Sequence, residues 1–194
     1  MKTPRWTSHL LFGALLVLVI GVGASGPRAF GDLAYLRGKV LEGQAWRVLT
    51  MHVVHAGPGH LFANVAGLGL VWAVFARSAS ALLWVACALA SALAAAGGVL
   101  ALQPRVQIMA GLSSVLHGLV GAGAVAALRG GRRLGGMALG LLALKIVWDY
   151  VGVAFPAARA VLGGPIAAPA HLYGAAAGAL CALWLPSSTV ARRE

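Results

Sequence analysis

The fold is decided by residues 111–128, which read GLSSVLHGLVGAGAVAAL. At 1.5 Å per residue, a helix from Ser113 to Leu128 covers about 22 Å of a hydrocarbon layer that is about 30 Å thick. Ser113 and Ser114 lie near the start of the stretch, and His117 follows one turn later. Polar groups inside hydrocarbon are costly and usually functional. The stretch therefore predicts a membrane helix that carries a hydroxyl group into the bilayer.

The rest of the chain has the composition of a polytopic membrane protein. Of its 194 residues, 60% are hydrophobic and 10% are charged, and the mean hydropathy is +0.88. The alternation typical of β-barrel strands is absent. We therefore expect an all-α fold with one membrane domain over residues 1–194. Its six predicted spans are 10–26, 60–76, 79–102, 113–128, 134–155 and 168–185.

Basic residues near the span ends favour cytoplasmic N- and C-termini. This orientation puts eight basic residues on the cytoplasmic side and six on the other. The eight are Lys2, Arg5, Arg77, Arg129, Arg132, Arg133, Arg192 and Arg193; the six are Arg28, Arg37, Lys39, Arg47, Arg105 and Arg159. Membrane flanks and anionic lipid explain the net charge of +11, so no nucleic-acid partner is expected.

Two features of the spans have alternative interpretations. Lys2 and Arg5, followed by an apolar run that ends in small residues at 23–26, also fit a cleavable signal peptide, although an uncleaved helix is preferred. Cys87 and Cys181 lie within spans, where small buried hydrophobic side chains are a better interpretation than a disulfide.

Three polar residues open the spans that run from the outer face to the cytoplasm. His60, Ser113 and His171 each stand 14 to 16 residues from the cytoplasmic end of their span. We therefore expect them at one level, a little below the outer surface. The polar and helix-breaking residues at 103–111 predict a loop that delivers Ser113 to a water-filled hollow.

These residue types allow cleavage of a peptide bond. Ser113 is the expected nucleophile, and His171 is the expected general base and acid. His60 and Asn64 share one helical face, where each can donate a hydrogen bond to a developing oxyanion or simply join helices. No acidic residue flanks Ser113 or His171 in sequence, so a serine–histidine dyad is expected rather than a triad. Asp149 in the fifth span has two interpretations: it approaches the site, or it pairs with Lys145 four residues earlier, which is preferred.

Small residues predict close packing of the fourth and sixth spans. The two stripes are Ser114, Gly118 and Ala122 on one helix and Gly174 and Gly178 on the other. Such stripes let helix backbones approach closely in membranes. His117 shares a face with Ser113, so we expect it to stack on His171 or to make a structural hydrogen bond.

Taken together, the motifs resemble the rhomboid family of intramembrane serine proteases over about residues 46–185. The matching elements are Trp46-Arg47, His55, His60 with Asn64, Gly111-Leu112-Ser113 and Ala170-His171-Leu172-Tyr173-Gly174. The resemblance implies Ser113 as nucleophile, His171 as base, and an oxyanion hole formed by His60, Asn64 and the Ser113 amide. It implies no metal and no cofactor.

Within that family the chain looks most like the rhombosortases. The run Ser114-Val115-Leu116-His117-Gly118 carries this resemblance, and Ser114 replaces the glycine that usually follows the nucleophile. The resemblance implies exported substrates with a C-terminal glycine-glycine motif, a transmembrane helix and a basic tail. It also implies a bacterial inner membrane, with the site near the periplasm. His55, His117 and Gly111 are expected to line the pocket.

Three other functions fit parts of the sequence. One is a general rhomboid protease for other single-span membrane proteins. Another is an inactive rhomboid-like protein that binds helices, for which Ser114 is the support. The third is a metal or proton transporter that uses the histidines at 52, 55, 60, 117 and 171, although no acidic ligand accompanies them in sequence.

Overall fold

The computed structural model describes residues 6–151 and 167–185. In these ranges the regular secondary structure is helical apart from a ladder of two short strands. The elements in chain order are α1 (Trp6–Gly23), α2 (Gly26–Leu33), β1 (Tyr35–Leu36), α3 (Arg37–Leu41), α4 (Arg47–Thr50), α5 (Pro58–Phe75), α6 (Ala81–Leu102), β2 (Ile108–Met109), α7 (Ser113–Arg129), α8 (Leu134–Val151) and α9 (Ala168–Trp184). The all-α prediction is confirmed.

Six long helices correspond to the six predicted spans. Within the described ranges, α1, α5, α6 and α8 are long and apolar enough to cross a membrane, while α7 and α9 have 17 residues each. The outward faces of these helices expose large apolar side chains, as a lipid environment requires. The last four residues of the predicted fifth span lie outside the described residues, as do Lys2, Arg5, Arg159, Arg192 and Arg193.

Helices α7 and α9 run parallel and touch through their backbones. A Cβ atom on Gly174 would meet the Ser114 carbonyl, and one on Gly178 would meet the Gly118 carbonyl. The predicted small-residue stripes therefore form this interface. At its far end, Arg129 donates hydrogen bonds to the carbonyl groups of Ala182, Leu183 and Leu185, at 2.7, 3.1 and 2.9 Å. A cation at these free carbonyl groups stabilises the C-terminus of α9.

The segment before α7 is held by a short antiparallel ladder that the sequence did not predict. Tyr35 pairs with Met109 and Leu36 with Ile108, and the Gly111 N–H donates to the Met51 carbonyl at 2.8 Å. The expected non-helical loop at 103–111 is therefore present and tied to the segment between α1 and α5.

Arg47 organises that same segment from a buried position. Its guanidinium donates to the carbonyl groups of Gly31 and Ala34, at 2.9 and 2.7 Å, and to the Gln44 side chain at 2.7 Å. The side chain is only 6% exposed. Buried charge needs such hydrogen bonds, so Arg47 stabilises the loop that carries the β-ladder.

Candidate active site

Ser113 and His171 face each other across the α7–α9 interface. The Oγ atom of Ser113 lies 2.8 Å from Nε2 of His171. Ser113 is the first residue of α7, and its position follows from the loop that ends at Gly111. His171 lies in the first turn of α9, where Gly174 lets the two backbones approach. The parallel contact between these helices thus brings the two side chains within hydrogen-bond distance.

A carboxylate completes this arrangement. The Oδ2 atom of Asp149 lies 2.8 Å from Nδ1 of His171, and the carboxylate is 1% exposed. The Lys145 ammonium group bonds the other carboxylate oxygen, which confirms the pairing expected from the four-residue spacing. The expectation of a serine–histidine pair without an acidic partner is wrong for this geometry. The approach of Asp149 to the site was the less favoured interpretation of the sequence, because pairing with Lys145 already neutralises the carboxylate; the structure shows both contacts.

His117 lies directly on His171. The two rings stack with centroids 4.2 Å apart and 12° between their planes. Nδ1 of His117 donates to the Ser113 carbonyl at 2.7 Å, since a carbonyl oxygen only accepts. The sequence predicted that His117 either stacks on His171 or makes a structural hydrogen bond. In the structure it does both.

His60 and Asn64 approach the site from α5. A Cβ atom on Gly111 would lie 2.5 Å from Cε1 and Nε2 of the His60 ring, and Gly111 has a φ angle of +104°. The Asn64 amide donates one hydrogen bond to the His60 carbonyl at 2.9 Å. The Nδ1 atom of His60 has no hydrogen-bond partner among the described residues. The expected donor side chains thus lie next to the loop that precedes Ser113.

A cavity of about 1230 Å³ contains these groups. Residues of α5, α7, α8 and α9 line it, together with the loop before α7. The site residues on its surface are His60, Asn64, Gly111, Ser113, His117, Asp149 and His171. The volume admits both water and an extended peptide segment.

His55 departs from its expected position. It is not among the residues that line this cavity. Its ring packs edge-to-face against His60, with centroids 5.1 Å apart, and its Nδ1 lies beside Gly23 at the end of α1. Burial, reinforced by the nearby His60, lowers the pKa of His55 to about 4. His55 therefore supports the His60 ring as a neutral imidazole.

The second serine points to a different histidine. The Oγ atom of Ser114 is buried and lies 3.5 Å from Nδ1 of His52, whose Nε2 lies 3.4 Å from the Ala92 carbonyl. The Ser114–His52 contact thus joins α7 to the loop before α5, and the His52–Ala92 contact joins that loop to α6. This contact gives the serine that replaces the usual glycine a packing role.

The ligand atoms of His117, Asp149 and His171 lie within 4.8 Å of one another. An acidic residue therefore does accompany two of the histidines, contrary to the sequence expectation. Both carboxylate oxygens of Asp149 already accept hydrogen bonds, and the Lys145 ammonium group would repel a cation. The two stacked rings are nearly parallel, whereas ligands of one ion converge on it. The cluster has the arrangement of a hydrogen-bonded network.

Comparison with known proteins agrees with this geometry. The family model described as the Rhomboid domain matches residues 42–188. The chain belongs to the rhomboid family, whose members are intramembrane serine proteases, and it is a multi-pass membrane protein. No curated protein matches its sequence.

Proposed function

We propose that this protein is an intramembrane serine endopeptidase of the rhombosortase type, which removes C-terminal glycine-glycine sorting segments from exported proteins. The observation that carries the proposal is the 2.8 Å contact between Ser113 Oγ and His171 Nε2 at the surface of a large cavity. A hydroxyl group hydrogen-bonded to an unprotonated imidazole nitrogen is the arrangement that activates a serine nucleophile.

The proposed reaction follows from this contact. Ser113 Oγ attacks the substrate carbonyl carbon while its proton passes to Nε2 of His171, and the carbonyl oxygen becomes an oxyanion. The tetrahedral intermediate collapses, the C–N bond breaks, and His171 gives the proton to the leaving amine. Water from the cavity then attacks the acyl-enzyme carbonyl carbon and gives a proton to His171. The ester C–O bond breaks, and His171 returns that proton to Ser113 Oγ. An amine in place of that water would transfer the acyl group to a new acceptor.

Three donors are proposed to stabilise the oxyanion. Ser113 is the first residue of α7, so its own N–H has no partner within the helix. The Asn64 amide has two N–H bonds, of which one reaches the His60 carbonyl and one remains for the cavity. His60 adds a ring nitrogen next to Gly111. Donors arranged before the reaction stabilise developing charge at little further cost.

The proposed substrate suits a cleft between α5 and α8. A transmembrane segment enters from the lipid, and its backbone must be extended to reach Ser113. Each glycine destabilises a helix by about 1 kcal/mol, so a glycine-glycine motif unwinds readily at the end of a substrate helix. The run from Ser114 to Gly118 supports this type of substrate by resemblance. With cytoplasmic termini, as the basic residues favour, the cut lies near the periplasmic side of a bacterial inner membrane.

Processing of an exported reporter tests the proposal. The full chain is co-expressed with a reporter that ends in a glycine-glycine motif, a transmembrane helix and a basic tail. We expect a shortened reporter, with its new C-terminus at the glycine motif by mass spectrometry. Ser113→Ala and His171→Ala should abolish it. Ser114→Ala is the matched control, because it removes the neighbouring hydroxyl group, and we expect it to retain processing.

Two further measurements test the type of substrate and the reactivity of Ser113 independently. A reporter with the tail of an ordinary single-span protein should be left intact; cleavage of that reporter alone would indicate a general rhomboid protease. A fluorophosphonate probe should label the wild-type protein and the Ser114→Ala variant but not Ser113→Ala. A wild-type chain that is neither labelled nor active would indicate an inactive helix-binding protein.

A further inference from the structure

Asp149 occupies an unusual position for an acidic residue. The chain has four acidic residues, Asp32, Glu42, Asp149 and Glu194, and Asp149 is the one that lies in a predicted span. Its side chain is 1% exposed and belongs to α8, which packs against both α7 and α9. A buried carboxylate is costly unless it is paired and hydrogen-bonded. Neutralisation by Lys145 alone does not explain why the second oxygen points at His171.

The direction of the hydrogen bonds fixes a tautomer. If Ser113 Oγ donates to Nε2 of His171, that nitrogen carries no proton. The proton of the neutral ring is then on Nδ1, which faces Oδ2 of Asp149 at 2.8 Å. An ionised carboxylate only accepts hydrogen bonds. Asp149 therefore favours the one tautomer in which His171 can take the serine proton.

We propose that Asp149 is a positioning residue for His171, so that this site works as a Ser113–His171–Asp149 relay rather than as a serine and a histidine alone. This inference rests on the proposed protease function and concerns the activation of its nucleophile. When Nε2 takes the serine proton, the carboxylate beside Nδ1 stabilises the imidazolium ion that forms. This stabilisation is greatest in surroundings of low dielectric constant.

The neighbours of Asp149 keep its carboxylate in place. Lys145 bonds Oδ1 from one turn earlier on α8 and leaves Oδ2 for His171. The stacked His117 ring is tied to the Ser113 carbonyl, and its Nε2 lies 3.6 Å from the same Oδ2. Asp149 and the stacked His117 therefore restrict rotation of the His171 ring. Lys145 holds Asp149 in place, and the Ser113 carbonyl holds His117.

Reaction with a fluorophosphonate measures this effect without any substrate. Ser113 Oγ forms a bond to phosphorus, fluoride leaves, and the serine proton passes to His171, so the rate reports nucleophile activation. The full chain in detergent is compared with Asp149→Asn, Asp149→Glu and the control Asp32→Asn, which lies on α2. We expect Asp149→Asn to react at least about 100-fold more slowly. Asp149→Glu, which keeps the carboxylate, should react faster than Asp149→Asn, and Asp32→Asn should match the wild type.

Nitrogen NMR of the histidine ring gives a readout that a merely structural role would not change. In ¹⁵N-histidine-labelled wild-type protein, we expect the His171 signals, assigned with His171→Gln, to show a proton on Nδ1. A proton on Nε2 would overturn the inference even if the variants failed to fold. A folded Asp149→Asn protein that reacts as fast as a reactive wild type would contradict the inference and leave the protease function intact. A wild type that never reacts would contradict both.

Discussion

The His60 ring lies against the backbone of Gly111, where a Cβ atom would be 2.5 Å from Cε1 and Nε2 of the ring. Gly111 also has a φ angle of +104°, which residues with a Cβ atom rarely adopt. The same residue therefore turns the chain into α7 and leaves room for a proposed oxyanion donor.

We expect Gly111→Ala to lose activity for two reasons that can be separated. The backbone strain costs about 1–2 kcal/mol, and the added methyl group displaces His60. Gly43→Ala is the matched control, because Gly43 has a φ angle of +98° and open space around it. Reporter processing should fall strongly in Gly111→Ala and remain near wild type in Gly43→Ala. Equal activity in the two variants would show that the approach to His60 does not matter.

Asn64→Ala should slow catalysis with little effect on substrate binding. The lost amide donates to the His60 carbonyl and is proposed to donate to the oxyanion, which forms only in the transition state. Loss of one such donor reduces kcat by about 10²–10³-fold. Steady-state cleavage of a purified substrate in detergent measures kcat and KM separately. A raised KM with an unchanged kcat would place Asn64 in substrate binding instead.

Gly178→Ala should separate the two helices that carry Ser113 and His171. The new Cβ atom would meet the Gly118 carbonyl two turns along α9 from His171. Overpacking of this kind costs about 1–3 kcal/mol, and we expect a lower thermal midpoint and less processing. Gly140→Ala on α8 is the control, because open space surrounds Gly140 and alanine favours helix. A Gly178→Ala protein as stable as this control would contradict the packing.

Stability should fall as the pH is lowered, in part through His52. Burial lowers the pKa of His52 to about 4, whereas the unfolded chain takes up this proton near pH 6.5. Between these values the unfolded state binds more protons, so the free energy of unfolding decreases as the pH falls from about 6.5 toward 4. Thermal midpoints at pH 7.5 and pH 5 should differ less in His52→Gln than in the wild type. An equal difference would exclude His52 as a source of the pH dependence.

Local sequence was sufficient to predict the helices and the proximity of Ser113 and His171. The apolar runs, the breaker residues at 103–111 and the glycines at 174 and 178 predicted the spans and the close α7–α9 contact, because each acts over a few residues. Ser113 and His171 followed, since both open helices that run in the same direction. The Lys145–Asp149 pair followed from helical spacing alone.

The partners that join distant segments were decided by the tertiary structure. His171 meets Asp149 across 22 residues, and Ser114 meets His52 across 62 residues. The two-residue strands at 35–36 and 108–109 are too short to leave a periodic pattern in the sequence. Helical spacing predicts which residues share a face of a helix. It does not predict which neighbouring helix that face contacts. The rotation of α8 and α9 about their axes is fixed only when glycine backbones, carbonyl groups and buried charges of different helices come into contact.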